Sequence, residues 1–472
     1  MNFLKTIRSL EREKQIDFLI LFGCGLCFWI NISSLLPTLP AYIQDQGAPP
    51  RQVALVMSFF AVGLLGSRIW LGQLADLGWR NYILKTNVSK SLQTWLIKGG
   101  KLVFGALVNY PSRKVVILIG ALVVASAPLG YIMADQIPEL MAVRAFHGIS
   151  IAAFTTGYNA LVVDLSPQKQ KGELIGYMSL VIPLGTAVGP AMGGFLQQSA
   201  GYTVLFFTVA FSGLMAMILA IRVRELPELK KRQNEIENNL KNGQSEVENT
   251  RSMATLIKDI SFLIPTIILL FIGTLFGCLV TFLPLYIRSL NLDFNIGLFY
   301  TATAFGSFGV RFFAGKASDR YGRGVFITIS LCFYIISMVI LALANEPFWF
   351  ILSAIVEGMG AGILIPVILA LISDRCTFQE RGKVFSLCIS GFDVGVAVGG
   401  ALLGSLILGF GYKIIFLSSG LLALFSLIIF ITYSNQNFAN SWRFAFGLNQ
   451  DDFAIVSTLS EGKRAKGKVE RF

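Results

Sequence analysis

The sequence predicts an all-α membrane protein, with twelve transmembrane helices in two pseudo-symmetric six-helix bundles. Three observations lead to this fold class. The chain is strongly apolar, its apolar residues are gathered into long stretches, and its two halves repeat the same residue pattern. Hydrophobic residues make up 54% of the 472 positions and charged residues only 14%, whereas a soluble domain carries about 25% charged residues.

Apolar stretches of about 20 residues recur along the chain, which is the length a helix needs to cross ~30 Å of hydrocarbon. Strands of a membrane barrel would alternate polar and apolar residues over ~10 positions, and stretches such as 115–131 do not alternate. The first stretch is too long for a signal peptide and lacks a cleavage site, so we expect it to remain as a span. We place the spans at 16–40, 53–76, 114–134, 138–163, 173–196, 202–223, 260–287, 295–317, 324–344, 347–373, 383–408 and 412–434.

The net charge of +12 is distributed unevenly between the connections. Connections on one side of the predicted membrane hold only three cations, Arg51, Arg288 and Lys413, and most of the 39 Lys and Arg residues lie on the other side. Because cytoplasmic loops carry the excess of Lys and Arg, we expect a multi-pass protein of the cell (inner) membrane with both termini cytoplasmic. This asymmetry explains the positive charge without a nucleic-acid partner.

The spans and polar segments together predict the domain organisation. The linker is rich in charged residues and Asn, and the basic tail is expected to be disordered and attracted to anionic lipid. We interpret the insert as a cytoplasmic or interfacial amphipathic segment, because Lys98 and Lys101 interrupt it and an odd span would invert every later loop. The segments are a cytoplasmic N-terminus (1–15), an N-terminal bundle (16–223) with an insert (77–112), a cytoplasmic linker (224–258), a C-terminal bundle (259–434) and a tail (435–472).

The two halves share the pattern G-x-x-G-x-R-x-x-x-G-x-x-x-D, at 63–76 and again at 306–319. Asp164 after the fourth span corresponds in the same way to Asp374 after the tenth. Internal repeats in a membrane protein with many spans suggest two bundles that rock about a site near the midplane.

The second copy continues into a charged loop that reads GKASDRYGR at 315–323. This loop resembles the G-x-x-x-D-R-x-G-R motif of the major facilitator superfamily, and the resemblance to that family covers about 16–434, apart from the insert and the linker. The first copy starts in the same way but is interrupted by the insert, and Arg113 stands where it should end. The resemblance implies a conformational gate formed by Gly72, Asp76 and Arg113, and by Gly315, Asp319, Gly322 and Arg323.

Glycines of the fifth span recur at a spacing that forms a groove for close helix packing. Pro190 removes one backbone hydrogen bond and bends the helix. The pattern resembles the antiporter motif of the twelve-span drug:proton antiporters, and this resemblance implies proton-coupled export. The matching positions are Gly176, Gly185, Gly189, Pro190, Gly193 and Gly194.

Five polar residues lie deep in predicted spans and are candidates for the site. Arg144 and His147 resemble the family's R-x-x-Q-G motif, whose Arg is associated with proton transfer. Glu357 and Asp393 are acids near the midplane, and intramembrane acids are costly and usually functional. Loss of water disfavours a charged carboxylate, which suits a group that loads and unloads a proton. One of the two acids is therefore the expected proton carrier, and Asn31 is the expected substrate contact.

The expected partners are a small amphipathic organic substrate, protons and membrane lipid, and we expect a monomer. A single His with scattered acids does not supply a metal site or a hydrolase site, and no phosphate-binding P-loop is present. We therefore expect no cofactor, no metal and no enzymatic activity. Two alternatives stay open: an uptake symporter or sugar/metabolite facilitator of the same fold, and a membrane enzyme or receptor.

Overall fold

The computed structural model describes residues 10–77, 83, 89–104, 112–167, 171–224, 251, 253–377, 380–404 and 407–455. Within these ranges the secondary structure is helical and contains no strand. The helices are α1 (Arg12–Ser34), α2 (Leu39–Asp45), α3 (Pro50–Leu77), α4 (Lys90–Phe104), α5 (Arg113–Met133), α6 (Ile137–Leu165), α7 (Lys171–Met178), α8 (Val181–Arg222), α9 (Met253–Lys258), α10 (Ile260–Ser289), α11 (Ile296–Tyr321), α12 (Arg323–Leu343), α13 (Pro347–Arg375), α14 (Arg381–Gly404), α15 (Ile407–Tyr433) and α16 (Phe438–Ala445).

Ten stretches of the described chain are long and apolar enough to cross a membrane. One of them, Leu174–Arg222, contains two predicted spans that meet at Gly201, where a φ of 81° breaks the helix. The eighth predicted span lies in α11, which is not among the ten stretches and contains polar residues such as Arg311. Each predicted span therefore coincides with a helix, and the predicted all-α membrane fold is confirmed.

The helices form two compact units. The first unit comprises Met1–Gln46 and Phe59–Val247, and the second comprises Gly47–Ser58 and Glu248–Phe472. The first turns of α3 therefore belong to the second unit. Most of the predicted linker 224–258 lies outside the described residues.

In the first unit, α8 packs closely against α1 through the glycines of the fifth predicted span. A Cβ atom added at Gly189 would collide with Oγ of Ser33, and one at Gly193 would collide with the carbonyl oxygen of Ser34. The Ser33 hydroxyl also donates a 2.8 Å hydrogen bond to the carbonyl of Gly185. Only glycine allows two backbones to approach this closely, so the predicted groove is a helix–helix contact.

The second unit repeats this contact between α10 and α14. A Cβ atom added at Gly395 would collide with the carbonyl oxygen of Leu270, and one at Gly399 would collide with that of Thr274. The Cys278 thiol donates to the carbonyl of Gly399 at 3.1 Å. The sequence repeat is therefore also a repeat of backbone packing.

The insert contains a 15-residue helix, α4. At 1.5 Å per residue it is about 22 Å long, which is shorter than the ~30 Å of hydrocarbon. Leu92 and Trp95 are exposed on it, as are Lys90 and Lys98. Both apolar and cationic side chains are therefore on its surface, and its length does not make it a further span.

The structure differs from the sequence prediction at the C-terminus, where a disordered tail was expected. Residues 434–455, called the C-terminal strap below, fold against the second unit through α16. Asn437 caps α16 by accepting a hydrogen bond from the backbone of Asn440, and the Thr328 hydroxyl of α12 donates 2.9 Å to the carbonyl of Ala445. The basic stretch 463–471 lies outside the described residues.

Candidate functional site

The first unit buries a polar cluster between α5 and α6. Arg144 and His147 of α6 are 7% and 1% exposed. The hydroxyl group of Tyr131, on α5, lies 3.1 Å from Nδ1 of His147. The guanidinium group of Arg144 lies 4.3 Å from the centre of the Phe60 ring, in a cation–π contact. Sequence reasoning missed Tyr131, because a tyrosine in an apolar span resembles any packing aromatic.

Two polar atoms of this cluster remain available for a further contact. Nε of Arg144 and Nε2 of His147 are buried, and neither has a hydrogen-bond partner among the described residues. Buried polar groups are nearly always hydrogen-bonded in folded proteins. The cluster is therefore suited to receive a water molecule or a polar substrate group.

The second unit buries a polar cluster around Glu357, which is 2% exposed. Its carboxyl group faces the hydroxyl of Thr303. Tyr300 and Tyr334 are its electrostatic neighbours, and Tyr334 also interacts with Arg311. These side chains come from α11, α12 and α13, so packing of three helices assembles them.

This second cluster also has unused hydrogen-bonding groups. The hydroxyls of Tyr300 and Thr303 and Nε of Arg311 are buried without a hydrogen bond of normal geometry to a described residue. One acid surrounded by hydroxyls and a nearby cation, away from water, can hold a proton or a polar atom of a substrate. No sequence signal distinguished the two tyrosines from packing residues.

Asp393 lies on α14 and is 9% exposed. It is two positions from both Gly391 and Gly395, the glycines whose Cβ positions meet α10. At 100° per residue, that spacing places Asp393 on the side of α14 turned away from α10. The glycine contact and the predicted acid therefore use opposite faces of one helix.

Asn31 is fully buried. Its side-chain nitrogen donates to the carbonyl of Val124 at 3.0 Å and to that of Val209 at 2.5 Å. These bonds tie α1 to α5 and α8. Its nitrogen therefore joins three helices, while its Oδ1 is buried without a hydrogen-bond partner among the described residues. The substrate contact expected from the sequence stays a prediction.

Each unit forms an ion pair at the same point of the repeat. Nε of Arg113 lies 3.4 Å from Oδ2 of Asp164 in the first unit, and Nε of Arg323 lies 3.2 Å from Oδ2 of Asp374 in the second. Both pairs join residues 51 positions apart. Arg113 therefore occupies in the first unit the position that Arg323 occupies in the second. Sequence reasoning had noted all four residues as repeats but had not paired them.

The other residues of the expected gate lie at the same ends of the bundles. Gly72 is near the end of α3, and Gly315 is near the end of α11. Gly322 separates α11 from α12 with a φ of 100°, a conformation that favours glycine. The side chains of Asp76 and Asp319 lie outside the described part of the structure.

Comparison with known proteins identifies the family. The sequence profile of the Major Facilitator Superfamily matches residues 91–345 and 293–448, which together span well over half of the chain. This chain belongs to the major facilitator superfamily. It is therefore a transporter and a multi-pass membrane protein.

Two relatives of this major facilitator protein cover most of its length. The multidrug resistance protein MdtG of Yersinia enterocolitica is 25% identical over 426 residues, covering 88% of this chain and 91% of the relative. The quinolone resistance protein NorA of Staphylococcus aureus is 25% identical over 405 residues, covering 81% and 91%. The predicted resemblance to drug-efflux members of the superfamily is thereby confirmed.

Solved structures support the fold. The nucleoside transporter NupG superposes with a TM-score of 0.65 at 14% identity, covering 87% of this chain and 98% of that one. A bacterial homologue of the human lysosomal transporter Spinster superposes with the same TM-score of 0.65 at 15% identity, covering 92% and 99%. At such identities the likeness concerns the fold alone.

This transporter also contains a buried ion pair that sequence reasoning missed. Arg375, the last residue of α13, binds Asp451 of the C-terminal strap through two hydrogen bonds of 2.7 and 3.0 Å. It also donates to the carbonyls of Ser261 and Ser434, at 2.9 and 2.7 Å. Its side chain is 1% exposed. The position has no charge in the first repeat, where Leu165 takes its place, so the repeat provided no signal.

The end of the linker is anchored to the loop between α13 and α14 of this transporter. Arg251 binds both oxygens of Glu380, at 2.8 and 2.9 Å, and binds Asp259 at 2.7 Å. The Arg251 guanidinium lowers the pKa of the Glu380 carboxyl group to about 2. The carboxylate is therefore charged at any physiological pH.

Proposed function

We propose that this transporter exports small amphipathic organic molecules in exchange for protons, by alternating access of its two bundles. The observation that carries the proposal is Glu357, an acid that is 2% exposed within a membrane span and surrounded by hydroxyl groups. Acids in spans are costly and mark ion or proton pathways. The names of the efflux relatives, which concern multidrug and quinolone resistance, support the direction and the substrate class.

Glu357 is proposed as the proton carrier, and Asp393 as the alternative carrier. A protonated Glu357 is neutral and fits its apolar surroundings, while loss of the proton leaves a charge that favours a different arrangement of the neighbouring hydroxyl groups and Arg311. Arg144 and His147, with their unused nitrogens, are proposed to bind a polar group of the substrate or the water that relays the proton.

The glycine contacts and ion pairs are proposed to serve the conformational change. The α1–α8 and α10–α14 contacts involve backbone atoms with no long side chains between them, which suits helices that move as paired pivots. The Arg113–Asp164 and Arg323–Asp374 pairs lie at helix ends, where a change of state could break and remake them. We propose that these ends and both termini are cytoplasmic, because the cations of the chain concentrate there, and that the protein acts as a monomer.

Transport in inverted membrane vesicles tests the proposal. Vesicles energised with an inward-acid proton gradient would be given a panel of fluorescent amphipathic cations and neutral compounds. Wild-type protein is expected to accumulate some of them, and the accumulation should collapse when an uncoupler dissipates the gradient. Glu357→Gln should abolish gradient-driven accumulation while leaving downhill exchange of the same compound, because the neutral side chain mimics the protonated state.

Glu346→Gln is the matched control, since Glu346 is an exposed acid at the beginning of the same helix. This variant should transport like the wild type. Loss of coupling in Asp393→Asn, with Glu357→Gln unaffected, would move the carrier to Asp393. Gradient-independent transport by the wild type would eliminate proton coupling, and proton-driven uptake into right-side-out vesicles would favour the symporter.

A further inference from the structure

We infer that α16 is an interfacial helix that docks on the phospholipid surface of the membrane through an exposed aromatic stripe. The stripe consists of Phe438, Trp442 and Phe446, which are 63%, 44% and 47% exposed. The three positions are four residues apart and so lie on one side of the helix. The rings of Trp442 and Phe446 are 5.0 Å apart.

The packing of α16 determines its depth relative to the membrane. Phe444 places its carbonyl oxygen against Gly324, and the Ala445 carbonyl accepts the hydrogen bond from Thr328. These partners lie in the first two turns of α12, which has 21 residues and a length of about 31 Å, close to the ~30 Å of the hydrocarbon layer. The contact therefore holds α16 at the boundary of the membrane.

The beginning of α16 is restrained to the same level. The preceding span, α15, ends at Tyr433, and residues 434–437 can extend by at most ~14 Å. The Phe430 ring of α15 also lies 6.0 Å from that of Phe444. Because two spans hold its two ends, α16 lies along the membrane surface rather than away from it.

The faces of α16 have three different surroundings. Ser441, Phe444 and Ala445 are buried against the unit. Asn440 lies on the polar face, bonds Asp452 at 2.8 Å and lines a cleft of about 1110 Å³ whose walls are mostly polar. The aromatic stripe occupies a separate face, between the buried face and Arg443, which is exposed.

This order of faces is the arrangement expected of a helix in the membrane interface. The polar cleft identifies the side that faces water, so the aromatic stripe on the other side faces lipid. Trp and Phe side chains are preferred at the level of the headgroups, and an Arg beside them can reach the phosphates. The helix itself contains no acid that would oppose this contact.

Site-specific photocrosslinking in full-length protein tests the docking. A photoreactive benzoylphenylalanine would replace Trp442 or Phe438 in protein reconstituted into phospholipid nanodiscs, and adducts would be identified by mass spectrometry. We expect phospholipid adducts at both positions. Gln436 and Asn449, which line the cleft, are matched control positions and should yield none. Phe425, exposed within α15, is the positive control.

Adducts at Phe425 without any at Trp442 or Phe438 would overturn the inference. So would adducts between Trp442 and protein, from a second copy or from the same chain. An independent measurement uses a fluorophore on Trp442→Cys, with the native cysteines replaced. Its emission should shift to the blue in nanodiscs and be quenched more strongly by a lipid-borne quencher than by an aqueous one. The reverse order of quenching would also refute the docking.

Discussion

The buried pair of Arg375 and Asp451 provides the strongest test of the structure. Asp451→Asn keeps the shape of the side chain but removes the negative charge that balances a guanidinium only 1% exposed. The variant weakens two hydrogen bonds to a charged group, each worth ~1.5–3 kcal/mol, and breaking a buried ion pair costs ~3–5 kcal/mol. Because Asn keeps one acceptor oxygen, we expect a loss of about 3 kcal/mol in the free energy of unfolding.

This loss can be measured as thermal stability in detergent. For a unit of this size, 1 kcal/mol changes the melting temperature by ~2–4 °C, so Asp451→Asn should lower it by about 6–12 °C. A thiol-reactive dye reports the transition, because Cys278 and Cys388 are buried in the folded second unit. Asp452→Asn is the matched control. Asp452 accepts a hydrogen bond from Asn440 at the surface, and the variant should change the melting temperature little.

The first repeat suggests how to restore the stability. Leu165, the counterpart of Arg375, is 5% exposed and belongs to an apolar cluster. Replacing both charges by apolar side chains is often neutral or stabilising, so Arg375→Leu with Asp451→Leu should recover most of the loss seen in either single variant. The reasoning is refuted if Asp451→Asn melts with the wild type, or if the double variant loses the sum of the two single losses.

Two further perturbations follow from the packing and from the linker anchor. Gly189→Val should prevent folding or abolish transport, because its side chain would collide with Ser33. Gly176→Ala is the control, since the space at its Cβ position is open, and it should behave like the wild type in expression and transport assays. Equal behaviour of the two variants would contradict the close contact. Arg251 lowers the pKa of the Glu380 carboxyl group to about 2, from a usual value of ~4.3. The contribution of this carboxylate to folding stability is therefore complete above pH ~4.3 and is lost as the pH falls through about 2. The difference in melting temperature between wild type and Glu380→Gln should therefore be constant from pH 8 to about 5 and narrow below about 4; a difference that closes between pH 8 and 6 would contradict this assignment.

Which site residues could be predicted from the sequence depended on whether the residue type is unusual in an apolar span. Glu357 is an acid in a long apolar span, and that pattern alone makes it conspicuous. Tyr131, Tyr300 and Tyr334 are aromatic residues among many in apolar helices, so no pattern separates those near a buried charge from those that only pack. Asn31 was expected to meet substrate because it is a deep polar residue, and only the structure shows that its amide nitrogen donates to two carbonyls.

The sequence by itself determined the spans, the two-fold repeat and the glycine-rich helix faces. These are local properties, since the number of consecutive apolar residues and the spacing of small ones decide whether a helix can cross a bilayer and approach a neighbour. Tertiary structure alone decided the partners of the charges. Arg375 and Asp451 are 76 residues apart, and only the packing of the C-terminal strap against α13 removes both from water, which makes their pairing necessary.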